Sequence, residues 1–451
     1  MSHRMLALKQ NAHPPIPSPF GVPDVSDGRP PRTLNDWLSY QQQTHPDAIA
    51  LGLERVQTIW QRLQAGAVAQ RVITVAGTNG KGSTAAMLEA LGRHAGWKVG
   101  LYTSPHLLRY NERVRVAGES VSDAALIDAF ERIEAARGEL PLTFFEWGTL
   151  AALLVFAESK LDLAVLEVGL GGRLDAVNII DADVAVVTTV ALDHMDLLGG
   201  DRESIGREKV GIARAHKPLV LGELDPPDSL LKAAQRLGAK LIRRGREFDC
   251  EQRLGGRWQY RQENLKFDLP WPTLVAPCQM SNAATALVAI RCLQPIDQTI
   301  AAAALADVQL PGRMQRLQRE CELLLDVAHN PQAVQQLARW LGSNRAVGAT
   351  HAVFACLADK DAPALVAPLM SLVDAWHLAG LPDAGARAHP IAEAWPKVAG
   401  LLSRSLVDHH PTVAEALQVA RERAAPGDRI VIYGSFHTVA KAMQELSVPG
   451  Q

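Results

Sequence analysis

Cysteine is scarce in this chain and badly placed for pairing. The five thiols, Cys250, Cys278, Cys292, Cys321 and Cys356, are an odd number, widely spaced and without a Cys-x-x-Cys pair. That excludes a disulfide framework or a zinc ribbon and suits small core residues kept reduced in a cytoplasm. Long apolar runs are missing too: none reaches the roughly 20 residues a membrane span requires. No apolar signal core precedes a small-residue cleavage site, so a cytoplasmic location is expected. Net charge is also small, with 46 Lys and Arg against 48 Asp and Glu, a formal −2. No overall field draws the chain to nucleic acid or to an anionic membrane, so neither is an expected partner, and any polyanion must be held locally.

What is present is material for packed cores. The chain is 47% hydrophobic and 21% charged over 451 residues, enough for two or three domains. Residues 1–33 stand apart, because "HPPIPSPFGVPDVSDGRPPR" is too rich in proline for a helix or a central strand and reads as a disordered or loosely wrapped tail. Apolar residues at helical spacing follow: Leu34, Trp37 and Leu38, then Leu53, Val56, Ile59 and Leu63. Strands and helices then alternate. "RVITVAG" (71–77), "KVGLYTS" (98–104), "LDLAVLEVG" (161–169), "DVAVVTTV" (183–190) and "KPLVLGE" (217–223) read as strands between helices at 83–96, 123–138 and 146–159. Continuous apolar strands in such an alternation imply a parallel sheet covered on both faces. Residues 240–275, with a central Gly-Gly, look like hairpin or edge structure before a helix at 281–293. The alternation restarts at "CELLLDVAH" and runs to "RIVIYGSFH" (429–437). These readings divide the chain into a tail (1–33), a larger α/β domain (34–296), a linker (297–312) and a smaller C-terminal α/β domain (313–451), with a cleft between the two domains.

The first chemical signal is "VAGTNGKGST" (75–84), set between a strand and a helix. Gly77, Gly80 and Gly82 let backbone N–H groups converge on an anion at a helix N-terminus, Lys81 can reach β- and γ-phosphates, and Ser83 or Thr84 can hold phosphate or Mg²⁺. Val75 stands in the place of the usual first glycine, and Gly82 separates the lysine from the hydroxyl, unlike the common G-x-x-x-x-G-K-[ST] loop. The fold class expected is therefore a P-loop, parallel-sheet ATPase domain joined to a smaller domain with a mostly parallel, Rossmann-like sheet. A second glycine cluster, "LEVGLGGRLDAVN" (166–178), lacks the third glycine of a dinucleotide fingerprint, since Leu174 occupies that place. Its notable residue is Glu167, at the carboxyl end of a strand, where open parallel sheets gather ligands. His194, in "ALDHMD", and Ser104, in "YTSPH", stand at two further strand ends. Together these three make a sparse oxygen and nitrogen donor set of the kind Mg²⁺ uses beside phosphate.

"TVAGTNGKGST", "YTSPHLLRYNERV", "FFEWGTLAALLVF", "LEVGLGGRLDAVN", "ALDHMDLLG", "SIGREKVGI", "SNAATAL", "LPGR", "LLLDVAHNP" and "IVIYGSFHTV" follow one another along the chain. In this order they resemble the signatures of folylpolyglutamate synthase in its bacterial bifunctional form, which also has dihydrofolate synthase activity. The wider group of ATP-dependent amide ligases that build cell-wall muropeptides resembles the chain less well. The resemblance implies that Thr78, Asn79, Gly80, Lys81, Gly82 and Ser83 hold ATP, completed by Asn282, Arg313 and Asp326. It implies Mg²⁺ on Ser104, Glu167 and His194, a second Mg²⁺ on a carbamylated Lys209, and a monovalent cation. The other reading of Lys209 is a surface lysine paired with Glu208. The pterin is expected against Ala50, Leu51, Gly52 and Leu53, against Thr143, Phe144, Phe145 and Glu146, and against Leu174, Asp175 and Ala176. Ala50 stands where bifunctional relatives often carry aspartate, and Phe144 where they carry tyrosine. Core packing is the alternative for the two phenylalanines.

The resemblance implies ligation of L-glutamate to dihydropteroate and to tetrahydrofolate polyglutamates, by a monomer acting on small molecules. A carboxylate is a poor electrophile, so ATP would phosphorylate it and phosphate would leave as the amine attacks. Lys81, Mg²⁺ and the helix N-terminus meet the charge of the transferring phosphoryl group. His329, in "DVAHNP", is a candidate to orient or deprotonate the amine with help from Asp326, helix capping by "HNP" being the structural alternative. Folylpolyglutamate synthesis alone, a muropeptide-type ligase, a nucleotide-dependent switch and a phosphotransferase are the competing functions.

Overall fold

The computed structural model describes residues 32–45, 49–403 and 405–448. The proline-rich stretch lies outside these residues up to position 31. Thr33 already belongs to the ordered chain, as the N-cap of the first helix, in a capping box with Asp36.

The first lobe runs through α1 (Leu34–Gln41), α2 (Glu54–Leu63), β1 (Arg71–Ala76), α3 (Lys81–His94), β2 (Val99–Tyr102), β3 (Val114–Val116), β4 (Glu119–Ser120), α4 (Asp123–Arg137) and α5 (Phe144–Ser159). It continues with β5 (Leu163–Glu167), β6 (Val184–Val187), α6 (Met195–Leu198), α7 (Arg202–Lys209), β7 (Pro218–Leu221), α8 (Asp228–Leu237) and β8 (Lys240–Arg243). The strands form one sheet, ordered β4-β3-β2-β5-β1-β6-β7-β8 and parallel from β2 to β8. Alternate residues of the central strands feed opposite cores. Val72 and Ala76 join Trp147 and Leu150 of α5 on one face, while Ile73 and Val75 join Met87, Leu88 and Leu91 of α3 on the other. This two-sided burial is why these strands read as unbroken apolar runs.

β9 (Phe248–Arg253), β10 (Arg257–Gln262) and β11 (Leu265–Pro270) form a separate antiparallel sheet. Gly255 and Gly256 make its first turn, with φ of 72° and 69°. α9 (Gln279–Arg291) and α10 (Gln298–Asp307) complete the lobe. α10 corrects the linker expected at 297–312: Asp297 caps an alanine-rich helix whose Ala301, Ala304 and Leu305 are buried in the same core as α3. A run of good helix formers behind a capping aspartate folds onto the lobe, and the connection shortens to the residues after Asp307.

The second lobe contains β12 (Gln315–Gln318), β13 (Glu322–Asp326), α11 (Pro331–Ser343), β14 (Thr350–Phe354), α12 (Ala362–Val366), β15 (Ala375–Ala379), α13 (Ile391–Val398), β16 (Leu406–His410), α14 (Val413–Arg423), β17 (Arg429–Tyr433) and α15 (Phe436–Glu445). Its sheet order is β12-β13-β17-β14-β15-β16, with only β12 antiparallel. The α/β class and the two mostly parallel sheets agree with the sequence expectation. Among the described residues no helix is long and apolar enough to cross a membrane.

Candidate active site

The loop between β1 and α3 is shaped by neighbours that leave no room for side chains. A Cβ on Gly77 would sit 1.8 Å from Thr188 Oγ1, and one on Gly80 would sit 2.7 Å from Asn282 Oδ1. Gly80 also has φ 84°, a left-handed conformation that glycine adopts without steric penalty. Just beyond β6, Thr188 Oγ1 donates to Asn79 O at 2.6 Å, and the N–H groups of Asn79 and Thr78 donate to Thr189 Oγ1 and O at 3.0 and 2.9 Å. Lys81 Nζ reaches back to Gly77 O at 3.1 Å and Thr78 O at 3.3 Å. No side chain caps α3, so its leading N–H groups open onto a cavity of about 420 Å³ lined by residues 77–83. That is an anion site by construction.

Ser104, Glu167, His194 and Lys209 line the same cavity. Glu167 ends β5, is 4% exposed and accepts the Ser104 N–H at 3.2 Å. Burial pushes its carboxyl up, opposed by the positive charges of Lys81 and Arg313. His194 is held in the left-handed region at φ 50°, and burial lowers its imidazole, which leaves a neutral ring with a free lone pair. Lys209 is not a surface residue. It is 3% exposed at the end of α7, while Glu208 pairs with Arg173 at 2.9 Å. Burial and the nearby charge of Lys81 push its amine down to about 7.

The second lobe closes the cavity with Arg313, Asp326 and His329. Asp326 ends β13 and accepts the N–H groups of Met314 at 2.9 Å and Ala328 at 2.8 Å. Arg313 lies over the Phe436 ring, 5.0 Å from its centroid. Asn282, on α9, is held by Gln279 Oε1 at 2.9 Å, and Gln279 donates in turn to Ser83 Oγ at 3.2 Å. In "HNP" the cap is Asn330, whose Oδ1 accepts the Ala333 N–H at 3.0 Å, with Pro331 opening α11. His329 is turned instead toward the cleft. Its Nδ1 bonds Val327 O at 2.8 Å, its Nε2 lies 3.8 Å from Asp193 Oδ2, and burial pushes it down to about 4.

The three segments expected to hold the pterin are bonded to one another beside this cavity and do not line it. Gly52 N–H donates to Leu174 O at 3.2 Å, and Arg55 donates to both Ala50 O at 2.8 Å and Glu146 Oε1 at 2.7 Å. Glu146 also accepts the Thr143 N–H in the capping box of α5, so that carboxylate is already engaged. Asp175 joins the segments to the cavity wall by accepting the Leu170 N–H at 2.9 Å, and burial pushes its carboxyl up to about 7. Phe144 and Phe145 are half-buried against Tyr110 and Tyr102, so packing accounts for one side of each ring. Ala176 is buried in the core of this lobe, and Leu51 and Leu53 are half-buried.

Comparison with known proteins matches the same architecture. Residues 75–289 match the Mur ligase middle domain, and residues 312–436 match the Mur ligase glutamate ligase domain. The dihydrofolate synthase/folylpolyglutamate synthase of Escherichia coli (strain K12) is 43% identical, over 91% of this chain and 95% of its own length. The chain belongs to the dihydrofolate synthase/folylpolyglutamate synthase family. The structure of E. coli FolC in complex with DHPP and ADP is 43% identical with a TM-score of 0.86, covering 92% of this chain and 98% of that one. A Yersinia pestis bifunctional folylpolyglutamate synthase/dihydrofolate synthase complexed with AMPPNP and Mn ion is 42% identical with a TM-score of 0.85, covering 96% and 100%.

In this folylpolyglutamate synthase family member, several cavity residues escaped the sequence reading. Lys360 and Arg387 enter from the second lobe, and Asp193, which the sequence sets beside His194 in "ALDHMD", faces them from the first. Lys360 Nζ pairs with Asp193 Oδ1 at 2.8 Å, and Asn79 Nδ2 donates to Asn330 Oδ1 at 3.1 Å and Gln332 Oε1 at 2.6 Å across the cleft. Lys360 follows the carboxyl end of β14, so the strand-end rule that found Glu167 and His194 would have found it as well.

Proposed function

We propose that this chain is an ATP-dependent ligase that joins L-glutamate to dihydropteroate, giving dihydrofolate, and to tetrahydrofolate and its polyglutamates. One observation carries the reading. A single cavity between two lobes gathers an anion-binding loop, a carboxylate, an imidazole and a buried lysine from one side, and Arg313, Asp326 and His329 from the other.

The residues fit a divalent cation. Glu167 is buried with one backbone donor at 3.2 Å in a cavity rich in positive charge, and His194 is neutral. Ser104, Glu167 and His194 would hold Mg²⁺, which when bound neutralises phosphate charge. Lys209 is suited to carbamylation, because an amine with a pKa of about 7 is substantially unprotonated and nucleophilic toward CO₂ at neutral pH. The carbamate so formed would supply an anionic ligand for a second Mg²⁺. Nothing in this scheme requires the monovalent cation.

The protein's own part follows from charge. The N-terminus of α3 and Lys81 receive the phosphates of ATP, and Arg313 and Asp326 meet the nucleotide from the other lobe. The substrate carboxylate attacks the γ-phosphorus, ADP leaves, and an acyl phosphate forms. The glutamate amine attacks the acyl carbon, an amide bond forms, and phosphate leaves with the C–O bond electrons and takes up the proton that the nitrogen gives up. His329, kept neutral by burial, offers Nε2 to orient the amine; a pKa near 4 makes it a poor proton store. Closure of the cavity between lobes keeps water from the acyl phosphate. We take the enzyme to act as a monomer in the cytoplasm; five unpaired cysteines support the location.

An ATP-coupled assay tests the proposal, offering dihydropteroate and tetrahydrofolate separately, each with glutamate. Turnover with both is expected. Turnover with tetrahydrofolate alone would remove the first activity, an outcome that Ala50 and Phe144 make worth checking, and turnover with neither would overturn the assignment.

A further inference from the structure

The second lobe carries a column of imidazoles remote from the cleft. His351 on β14, His377 on β15 and His410 on β16 share one sheet face, the face that α14 covers. Their rings stack with centroids 5.7 Å apart for His351 and His377, and 5.6 Å apart for His377 and His410. Asp408 lies directly across from His377 in the register and on the same face. None of these four residues lines the cleft cavity.

One tautomer of the column leaves a nitrogen of His377 free to take a ligand. His351 Nε2 faces Asp428 Oδ2 at 3.6 Å, and His351 Nδ1 lies 3.4 Å from His377 Nε2. In that tautomer His377 Nε2 carries the proton and donates it to His351 Nδ1. That leaves His377 Nδ1 a bare acceptor pointing at Asp408 Oδ2, 3.9 Å away and too far for a hydrogen bond. His377 Nδ1 and His410 Nε2 are both buried without a hydrogen-bond partner, on side chains 0% and 7% exposed. One ring nitrogen of each of these imidazoles and a carboxylate oxygen of Asp408 lie within 4.8 Å of one another. Orphaned polar atoms cost stability in a core, and a shared cation would satisfy both.

We propose that His377 Nδ1, His410 Nε2 and Asp408 form a binding site for a divalent transition metal of the zinc type. Two imidazoles and one carboxylate are borderline donors, which select Zn²⁺ over Mg²⁺ or Ca²⁺. Metal–nitrogen bonds of about 2.0–2.1 Å in a tetrahedral site put ligand atoms about 3.3 Å apart, a contraction within reach of small side-chain rotations. His351, behind His377, plays the orienting part that a hydrogen-bonded partner plays for a metal-bound imidazole. Asp408 is one-third exposed on the edge strand, which gives an ion its path. Arg423, paired with the same carboxylate and half exposed, is the competing cation. A bound ion would clip β16 to β15.

The test is Zn²⁺ titration calorimetry on the full-length protein carrying His194→Ala, which removes the imidazole assigned to the cleft's metal, with Co²⁺ visible absorption as a second readout. The expected result is one Zn²⁺ per chain, a rise in melting temperature with Zn²⁺, and visible Co²⁺ bands. His410→Gln and Asp408→Asn, which keep side-chain volume, are each expected to weaken binding at least about tenfold, and Arg423→Ala to tighten it. His377→Ala serves as a further variant where it folds. No Zn²⁺ binding by the His194→Ala protein, or an affinity unchanged by His410→Gln and Asp408→Asn, would overturn the site.

Discussion

Lys360 Nζ lies 2.8 Å from Asp193 Oδ1, across the cleft, with only 9% and 11% of the two side chains exposed. Asn330 Nδ2 reaches the same aspartate at 3.3 Å. The pair ties the loop after β6 to the loop after β14, so it links the two walls of the cavity. Replacing Asp193 by Asn strands a buried ammonium, a loss of about 3–5 kcal/mol if the lobes stayed shut. The lobes should open instead. Asp193→Asn and Lys360→Met are expected to lower kcat/KM at least about tenfold, with a larger radius of gyration in small-angle scattering. Loss of activity at unchanged dimensions would sink the latch.

The same pair has a defined acid limit. Burial alone would raise the Asp193 carboxyl, but Lys360, His194 and His329 outweigh it and hold it well below the usual carboxylate range. A depressed folded value means that the contribution is full above the ordinary carboxylate value of about 4 and is lost as pH falls through the lower, folded value. Scattering dimensions should therefore stay constant from neutrality down to about pH 5. Opening between pH 7 and 5 would contradict the assignment.

Asp175 behaves in the opposite sense. Its carboxyl is pushed up to about 7 by burial, against backbone donors that favour the charged form. The folded protein then binds a proton that the unfolded chain has released, so stability falls as pH rises from about 4 to 7, by an amount on the order of a few kcal/mol. Asp175→Asn keeps the shape of the cap on Val177 and removes the charge. Its stability relative to the parent should grow with pH across that window in urea unfolding, and a constant difference would refute the shift.

Lys209 gives a chemical prediction. An amine held near 7 should take up CO₂, so ¹³C-bicarbonate should yield a protein-bound carbamate signal that Lys209→Arg abolishes. Turnover in CO₂-depleted buffer should fall and return with bicarbonate. A full rate without CO₂ would show that the unmodified lysine suffices.

Much of the cleft was legible because its donors stand at the carboxyl ends of strands that the apolar runs betray. Ser104, Glu167 and His194 were found that way, and the loop by its glycines. Other features depend on distance in space. The Asp193–Lys360 pair joins residues 167 positions apart, and Thr188, which makes Gly77 obligatory, stands just beyond another strand. The burial of Lys209 cannot be read from "GREKVG", where it looks like any charged helix end. β16, "LVDHH", escaped because an edge strand carries no continuous apolar run. α10 reads as a linker because its alanines give no contrast between an apolar and a polar face, although each favours a helix.

The central claim is that the substrate carboxylate is phosphorylated by ATP before the amine attacks, and an isotope experiment tests it most directly. Dihydropteroate or tetrahydrofolate labelled with ¹⁸O in its carboxylate is turned over with ATP and glutamate, and the released phosphate is weighed by mass spectrometry. One ¹⁸O atom should appear in inorganic phosphate for each amide formed, with none in ADP. Unlabelled phosphate, or release of AMP and pyrophosphate, would contradict the account.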